Sequence, residues 1–420
     1  MKKLISLFSG CGGMDLGFEG DFKILKKSHN RFINPDWDTV EDGNFILLPK
    51  TGFSTVLAND ILDSAKKAWV PFFQNKTDGK FLHGSIIDFV KSGEVKKYKN
   101  KGIDVITGGF PCQDFSLAGK RKGFNSHKNH LNTKIEQDNF PSEESRGMLY
   151  YWMREVINVI QPKVFVAENV KGLKSMNGVV DTIKRDFEKT GEQGYLVIEP
   201  KVINACNYGV PQNRERIFFF GFNKKYMKKS AIRAIEKGAL PDEINPFPKI
   251  THKDTKNIEL FEDNNKVLEL VNSQDAFIGL NEPEIEILDE AQKSFSKAKF
   301  FKGYQGNSEI KPHKPGPTIR AEHHGNIEYR RLSVEKGGTN MDELNSGLKE
   351  RRLTVRECAR IQTFPDNYEF VKTNKENEYP LSASAAYKLI GNAVPPLLGF
   401  HIAQKLDAIW ENVFLKKHIK

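Results

Sequence analysis

The chain has 420 residues, 38% of them hydrophobic and 28% charged, a balance that fits two or three soluble domains with real cores and excludes a disordered chain. No apolar run approaches a membrane span, and the opening Met1-Lys2-Lys3-Leu4 lacks the apolar stretch of a signal peptide, so a cytoplasmic protein with no membrane partner is expected. Four cysteines without a C-x-x-C pair argue against a disulfide framework or a metal site, and a net charge of +10 favours a polyanionic partner.

Leu4 to Phe8 reads as a first strand. Ser9-Gly10-Cys11-Gly12-Gly13-Met14-Asp15 then reads as a glycine loop opening a helix, a place where a ligand approaches the backbone. The dinucleotide fingerprint needs a third glycine where Asp15 stands, which disfavours a nicotinamide or flavin dinucleotide. Residues 21 to 54 are polar and broken by prolines, and are read as an excursion from the core, a hairpin. Thr55 to Ala58 is a second strand ending at Asn59-Asp60, where an acid is placed either to bond a ribose hydroxyl or to cap the next helix. His83 to Asp88, with Ile86 inside it, closes a third unit.

Ile103 to Thr107 is β-branched and apolar, the pattern of a buried parallel strand. Gly108-Gly109-Phe110-Pro111 ends it, and Cys112-Gln113-Asp114-Phe115-Ser116 follows at the edge where open α/β sheets bind ligands. Such a cysteine is either a reactive thiol or a small buried side chain in a turn. The stretch to Arg146 is long, polar and basic, with Lys120, Arg121 and Lys122 near its start. It is expected to be a lid that contacts phosphate, against the alternative of a plain solvated loop. A helix runs from Met148 through Leu149 to Ile160. The strand Val164 to Ala167 then delivers Glu168-Asn169 to the same sheet edge, where an acid is costly unless paired or working. Residues 178 to 189 read as helix. Gln212-Asn213-Arg214-Glu215-Arg216 leads into the strand Ile217 to Phe222, and alternation puts Arg214 and Arg216 on one face, where they suit an anion or a carboxylate.

From residue 223 to 350 the chain turns lysine-rich and weakly periodic. Its Pro315-to-Arg331 stretch carries Arg320 and Arg330 around a glycine turn, residue types that meet base edges and phosphates. Thr354 and Glu357 form a capping-box pattern that predicts a helix up to Ile361. A helical run from Ser384 to Leu389 leads to Gly391-Asn392, and a closing helix follows from Leu397 to Leu415.

Six blocks in this order resemble the DNA cytosine-C5 methyltransferases: Phe8 to Gly17, Pro111-Cys112-Gln113, Glu168-Asn169-Val170, Gln212-x-Arg214-x-Arg216, Arg352 to Pro365, and Gly391-Asn392. The resemblance implies an α/β fold, a Rossmann-like S-adenosylmethionine-dependent methyltransferase sheet with a smaller, irregular target-recognition domain. It implies a catalytic and cofactor domain over 1–223, target recognition over 224–350, a hinge and support over 351–383, and a return to the catalytic domain over 384–420. Cys112 matches the nucleophile, Glu168 the acid on cytosine N3, and Arg214 and Arg216 their support. Phe8, Gly10, Cys11, Gly12, Gly13, Asp60, Ile86, Pro111, Leu149 and Asn392 match cofactor positions. Gln113, Ser116, Lys120, Arg121, Lys122, Arg146, Gln212, Arg320 and Arg330 are the expected DNA contacts.

The partner implied is double-stranded DNA, bound by a monomer. The implied role is the modification enzyme of a type II restriction-modification system, alongside an endonuclease for the same site. Pro317 to Arg331 looks like the stretch in enzymes acting on GGNCC or GGWCC. Departures stand at Ser6, where many members carry an acid, at Ile61, where they carry an aromatic, and at Ser85, where they carry Asp. Alternatives are an RNA cytosine-C5 methyltransferase and a catalytically silent DNA-binding relative.

Overall fold

Alternating β-branched strands and amphipathic helices build one open sheet covered on both faces. The computed structural model describes the chain apart from residues 38, 75, 112–148, 177, 255–265, 286–287, 322–326, 373–378 and 416–420. In order come β1 (Lys2–Leu7), α1 (Gly13–Glu19), β2 (Lys23–Leu25), β3 (Val40–Asp42), β4 (Phe45–Leu47), β5 (Phe53–Asp60), α2 (Asp63–Phe73), β6 (Lys80–His83), α3 (Ile86–Lys91) and β7 (Ile103–Gly109). Then follow α4 (Leu149–Ile160), β8 (Val164–Val170), α5 (Val179–Glu188), β9 (Tyr195–Val197), β10 (Lys201–Asn204) and β11 (Glu215–Asn223).

The main sheet has eight strands in the order β10-β11-β8-β7-β1-β5-β6, with β9 paired to β11. Strands β8, β7, β1, β5 and β6 run parallel, and β11 runs antiparallel to its neighbours. The chain leaves β1 toward β5 and β6 and later returns to β7 on the other side. That reversal opens a crevice at the carboxyl ends of the strands beside β1, where the glycine loop lies. One face packs on α3, α4 and α5 through residues such as Ile87, Met153, Val156, Ile183 and Phe187. The other packs on α1, α2 and the C-terminal helix through Leu16, Trp69, Phe73, Leu398 and Phe400.

The excursion is the expected hairpin with one strand more, an antiparallel sheet in the order β2-β4-β3. Beyond β11 the elements are short: α6 (Lys229–Glu236), β12 (His252–Lys253), β13 (Leu268–Glu269), α7 (Ser273–Ala276), α8 (Glu290–Lys293), β14 (Tyr329–Arg331), α9 (Met341–Asn345) and β15 (Arg351–Arg352). With so few ladders, buried ion pairs carry much of the order. Arg351 holds Glu357 at 2.8 and 2.9 Å and Glu282 at 2.8 and 3.1 Å.

The composition shift at residue 223 is not a break in packing. Lys228 N donates to Val413 O at 2.8 Å and Leu415 N to Tyr226 O at 2.9 Å, so this first part lies on the C-terminal helix. Helix α10 (Val355–Ile361) starts with the predicted capping box, Thr354 Oγ1 accepting from Glu357 N at 3.0 Å and Glu357 Oε2 from Thr354 N at 2.8 Å. α11 (Ala383–Asn392) and α12 (Pro396–Val413) close the chain. Among the described residues no helix is long and apolar enough to cross a membrane.

Candidate active site

Two neighbouring parallel strands, β7 and β8, bring their carboxyl ends together. Gly109 pairs with Glu168 in register, and a Cβ added at Gly109 would stand 2.9 Å from Glu168 Oε2. A side chain at position 109 would press on the Glu168 carboxylate where it now lies. Asn169, 2% exposed, donates from Nδ2 to Phe110 O at 3.2 Å. That bond fixes the backbone just before Pro111, the last described residue before Cys112. Gln113, Ser116, Lys120, Arg121, Lys122 and Arg146 share the fate of Cys112: they and the expected lid lie outside the described residues.

Glu168 is buried and pairs with Arg216, Nε to Oε1 at 3.0 Å. The pairing follows from β11 lying antiparallel to β8, with Arg216 opposite Val170 and Phe218 opposite Glu168. Burial pushes the Glu168 carboxyl up from its ordinary value, while Arg216 and then Arg214 pull it down. A carboxyl held in this balance can keep a proton and donate it to a ring nitrogen.

Arg214 does something other than expected. It is 1% exposed, and its guanidinium donates to Ile319 O at 3.0 Å and Gly391 O at 2.8 Å. Burial drives its pKa well down. Arg214 precedes β11, and the segment Gly316 to Ile319 packs on it. These two bonds tie residue 319 and α11 to the edge that carries Glu168, whose carboxyl Arg214 also helps to hold down. Gly391 serves the same junction, since a Cβ there would lie 2.3 Å from the Arg320 backbone.

The glycine loop turns through left-handed backbone at Phe8, Gly10 and Gly12. Its glycines have two jobs. A Cβ at Gly10 would meet nothing within 4 Å, so this peptide faces open space. At Gly12 it would strike Phe73 and Trp69, and at Gly13 the Val394 carbonyl, so these two glycines serve packing of the loop. Asp60 Oδ2 accepts from Gly10 N at 2.8 Å and Oδ1 from Leu62 N at 2.9 Å. Asp60 therefore holds the loop, and each of its oxygens has a further lone pair.

Cys11 is 1% exposed with Sγ 3.6 Å from Leu389 O, and Ile86 and Leu149 are core residues. Phe8 and Pro111 are half-buried, and Asn392 is exposed at the end of α11.

Asp15, read from the sequence only as a gap in a glycine pattern, is a tether. Its buried carboxylate accepts from Ser6 Oγ at 2.5 Å, Ser9 Oγ at 2.6 Å and Trp69 Nε1 at 2.7 Å. This explains the departure at Ser6: an acid there would set two carboxylates against each other, whereas serine donates. The departure at Ser85 has a local reason too, because Ser85 Oγ caps α3 by accepting from Ile87 N at 3.2 Å. Ile61 stays 36% exposed beside Asp60.

Two of the expected DNA contacts have partners or burial of their own. Gln212 is fully buried, and its side-chain amide has no hydrogen-bond partner among the described residues. Arg330 stacks over Phe277 at 4.3 Å and pairs with Glu343, so its guanidinium is engaged within the chain. Gln212 is covered by packing, whereas Arg330 stays half-buried. Arg320 lies half-buried on the segment that crosses Gly391.

A mostly parallel open sheet thus carries a glycine loop after its first strand and a buried acid–arginine pair at the carboxyl end of β8, the edge where such sheets bind ligands. Comparison with known proteins narrows this. The family described as C-5 cytosine-specific DNA methylase matches residues 2–137 and 139–408. Among relatives, the type II methyltransferase M.NgoPII of Neisseria gonorrhoeae is 30% identical over 422 residues, covering 97% of this chain and 96% of its own. M.FnuDI of Fusobacterium nucleatum is 28% identical, covering 100% and 98%.

Among solved structures, a putative DNA modification methyltransferase from an Escherichia coli prophage superposes with a TM-score of 0.54 at 19% identity over 97% of this chain and 98% of its own. The S. pombe Dnmt2 methyltransferase gives 0.53 at 16% over 97% and 98%. At such identities the likeness speaks for the fold. The chain belongs to the C-5 cytosine-specific DNA methylase family and is a DNA (cytosine-5-)-methyltransferase.

Proposed function

We propose that the protein methylates C5 of one cytosine within a specific duplex DNA site, through a transient bond between Cys112 and C6 of the base. The observation that carries this reading is the buried Glu168–Arg216 pair, set at the strand end next to the one that leads into Pro111-Cys112. C6 is inaccessible in a stacked duplex, so the base is flipped into this crevice. The Cys112 thiolate attacks C6, which makes C5 nucleophilic. Glu168 holds a proton at cytosine N3 and accepts from the exocyclic amine, offsetting the charge that builds on the ring. Arg216 keeps that carboxyl oriented. After C5 is methylated its proton leaves, the C5–C6 double bond re-forms, and the Cys112 thiolate is expelled.

S-adenosylmethionine, when bound, supplies an electrophilic methyl on a sulfonium. The residues present fit it: the open face of Gly10 admits its backbone-sized approach, Asp60 has acceptors left for a ribose diol, and Phe8, Ile61 and Pro111 offer apolar wall. Recognition falls to residues 224–350, with Arg320 as a candidate base or phosphate contact. A GGNCC- or GGWCC-like site, a monomer on DNA, and a companion restriction endonuclease complete the reading. Bisulfite sequencing of DNA from a host expressing the wild type or Cys112→Ser tests it. Converted cytosines at one site with the wild type and none with the variant are not the expected pattern; protected cytosines at one site, lost with Cys112→Ser, are. Protection that persists in the variant would remove Cys112 from the chemistry.

A further inference from the structure

The excursion between α1 and β5 lies away from the catalytic crevice, yet its contacts lead back to it. Asn30 is 1% exposed and uses its whole amide. Nδ2 donates to Thr251 O at 2.9 Å and Lys266 O at 2.6 Å, while Oδ1 accepts from Phe32 N at 3.0 Å and Ile33 N at 3.2 Å. Two donors thus reach out to the recognition region, and the acceptor closes the excursion's own turn. Beside it His252, fully buried, donates from Nε2 to Lys27 O at 3.0 Å. At Gly209 the Ser28 carbonyl comes so near that an added Cβ would stand 2.3 Å from it. Lys27 Nζ reaches Asp275 of α7 at 2.5 Å on the rim.

These contacts clamp the β12–β13 ladder, whose register pairs His252 with Leu268. From there the path is continuous. In α7, Ser273 N donates to Lys314 O at 2.9 Å and Gln274 N to Pro312 O at 3.0 Å. The next residues meet the catalytic motif: Gly316 N donates to Pro211 O at 2.9 Å, Asn213 N to Gly316 O at 2.8 Å, and Thr318 Oγ1 to Asn213 O at 2.7 Å. Arg214 then grips Ile319 O, two residues before Arg216, which holds Glu168.

We infer that the excursion is a brace for target recognition, and that Asn30 is a specificity-positioning residue. By fixing β12–β13 and α7, it sets where Gly316 to Ile319, at the start of the Pro315-to-Arg331 stretch, meets the Pro211-to-Arg214 motif. This rests on the reading of that segment as the one that meets the DNA site. Backbone carbonyls fix position closely because they cannot change rotamer, so loss of their donors loosens the whole segment by more than a side-chain swap would.

Asn30→Asp isolates the claim. It keeps the acceptor that closes the local turn, removes both outward donors, and sets a carboxylate against two carbonyls. The measurement is kcat/KM on a duplex with the site found by bisulfite sequencing and on duplexes with one altered base pair, together with calorimetric binding of S-adenosylhomocysteine. The expected result is a roughly tenfold fall in the ratio of cognate to altered duplex, carried mainly by a higher KM for the cognate duplex. Binding of S-adenosylhomocysteine stays unchanged, because the glycine loop and Asp60 lie outside the path. Lys27→Glu, on the exposed rim of the same contact, lowers the ratio in the same direction and serves where Asn30→Asp does not fold. A wild type with no site preference would overturn both this inference and the reading beneath it. A selective wild type whose ratio is unchanged in the variants, or variants that lose S-adenosylhomocysteine binding in step with turnover, would overturn this inference alone.

Discussion

Replacing Arg216 by methionine leaves Glu168 buried without its partner. At a separation of 3.0 Å, the attraction is about 5 kcal/mol with an effective dielectric constant of about 20. The net contribution is smaller, because both ions gave up water to be there. Removing one partner of such a pair costs about 3–5 kcal/mol when the survivor stays charged. Glu168 has an escape, since burial already pushes its carboxyl up and the loss of Arg216 removes its largest opposing influence. It takes up a proton instead.

The folded state then holds a proton that the unfolded state has released, so the stability of Arg216→Met falls as pH rises through the range between the unfolded and folded values. Urea denaturation of the wild type, Arg216→Met, Glu168→Gln and the double variant, at mildly acid and mildly alkaline pH, measures this. The single arginine variant should be destabilised by about 3 kcal/mol in alkali and less in acid, and Glu168→Gln in the same chain should recover most of the loss. Effects of the two substitutions that add within about 0.5 kcal/mol, or a loss independent of pH, would refute the buried pair as the element that holds the site.

Three further outcomes follow from the same reasoning. Cys112→Ser should abolish methyl transfer while leaving affinity for duplex DNA and S-adenosylhomocysteine nearly intact, since a serine hydroxyl is far less ionised at neutral pH; tritiated-methyl incorporation and gel-shift titration check both halves. Asp15→Ala takes the acceptor from Ser6, Ser9 and Trp69 and should weaken S-adenosylhomocysteine binding by about 1–3 kcal/mol in calorimetry, with DNA affinity retained.

Glu19, pushed up to about 7 by burial against the bond from Thr55, binds its proton more tightly in the folded state. Stability therefore declines from its ordinary unfolded value up to about 7, and Glu19→Gln, which keeps an acceptor for Thr55, should flatten that decline in thermal melts.

The local signals reached far. A β-branched run before Gly108-Gly109 marks a buried parallel strand wherever it sits, and the capping box at Thr354 and Glu357 is a property of four residues. The glycine loop, the acid after the second strand and the acid after Val164–Ala167 all stand at strand ends. Sheet topology gathers strand ends at one edge, so Asp60, Pro111 and Glu168 were legible as neighbours before any coordinates. The Arg216 partnership was legible only in part, because facing an anion does not say which one.

What only tertiary structure decided is how charges and amides are used once the chain has folded over itself. Arg214 and Arg216 look alike in sequence, but the crossing of residues 316 to 319 buries one against carbonyls and leaves the other to the acid. Gln212 and Arg330 sit in polar text, yet packing buries the first and Glu343 engages the second. Asp15 owes its role to Trp69 of α2, 54 positions away, and Asn30 owes its role to carbonyls more than two hundred positions on. A side chain's hydrogen-bond capacity is written in its type. Its partner is set by long-range approach of backbone, which no local pattern encodes.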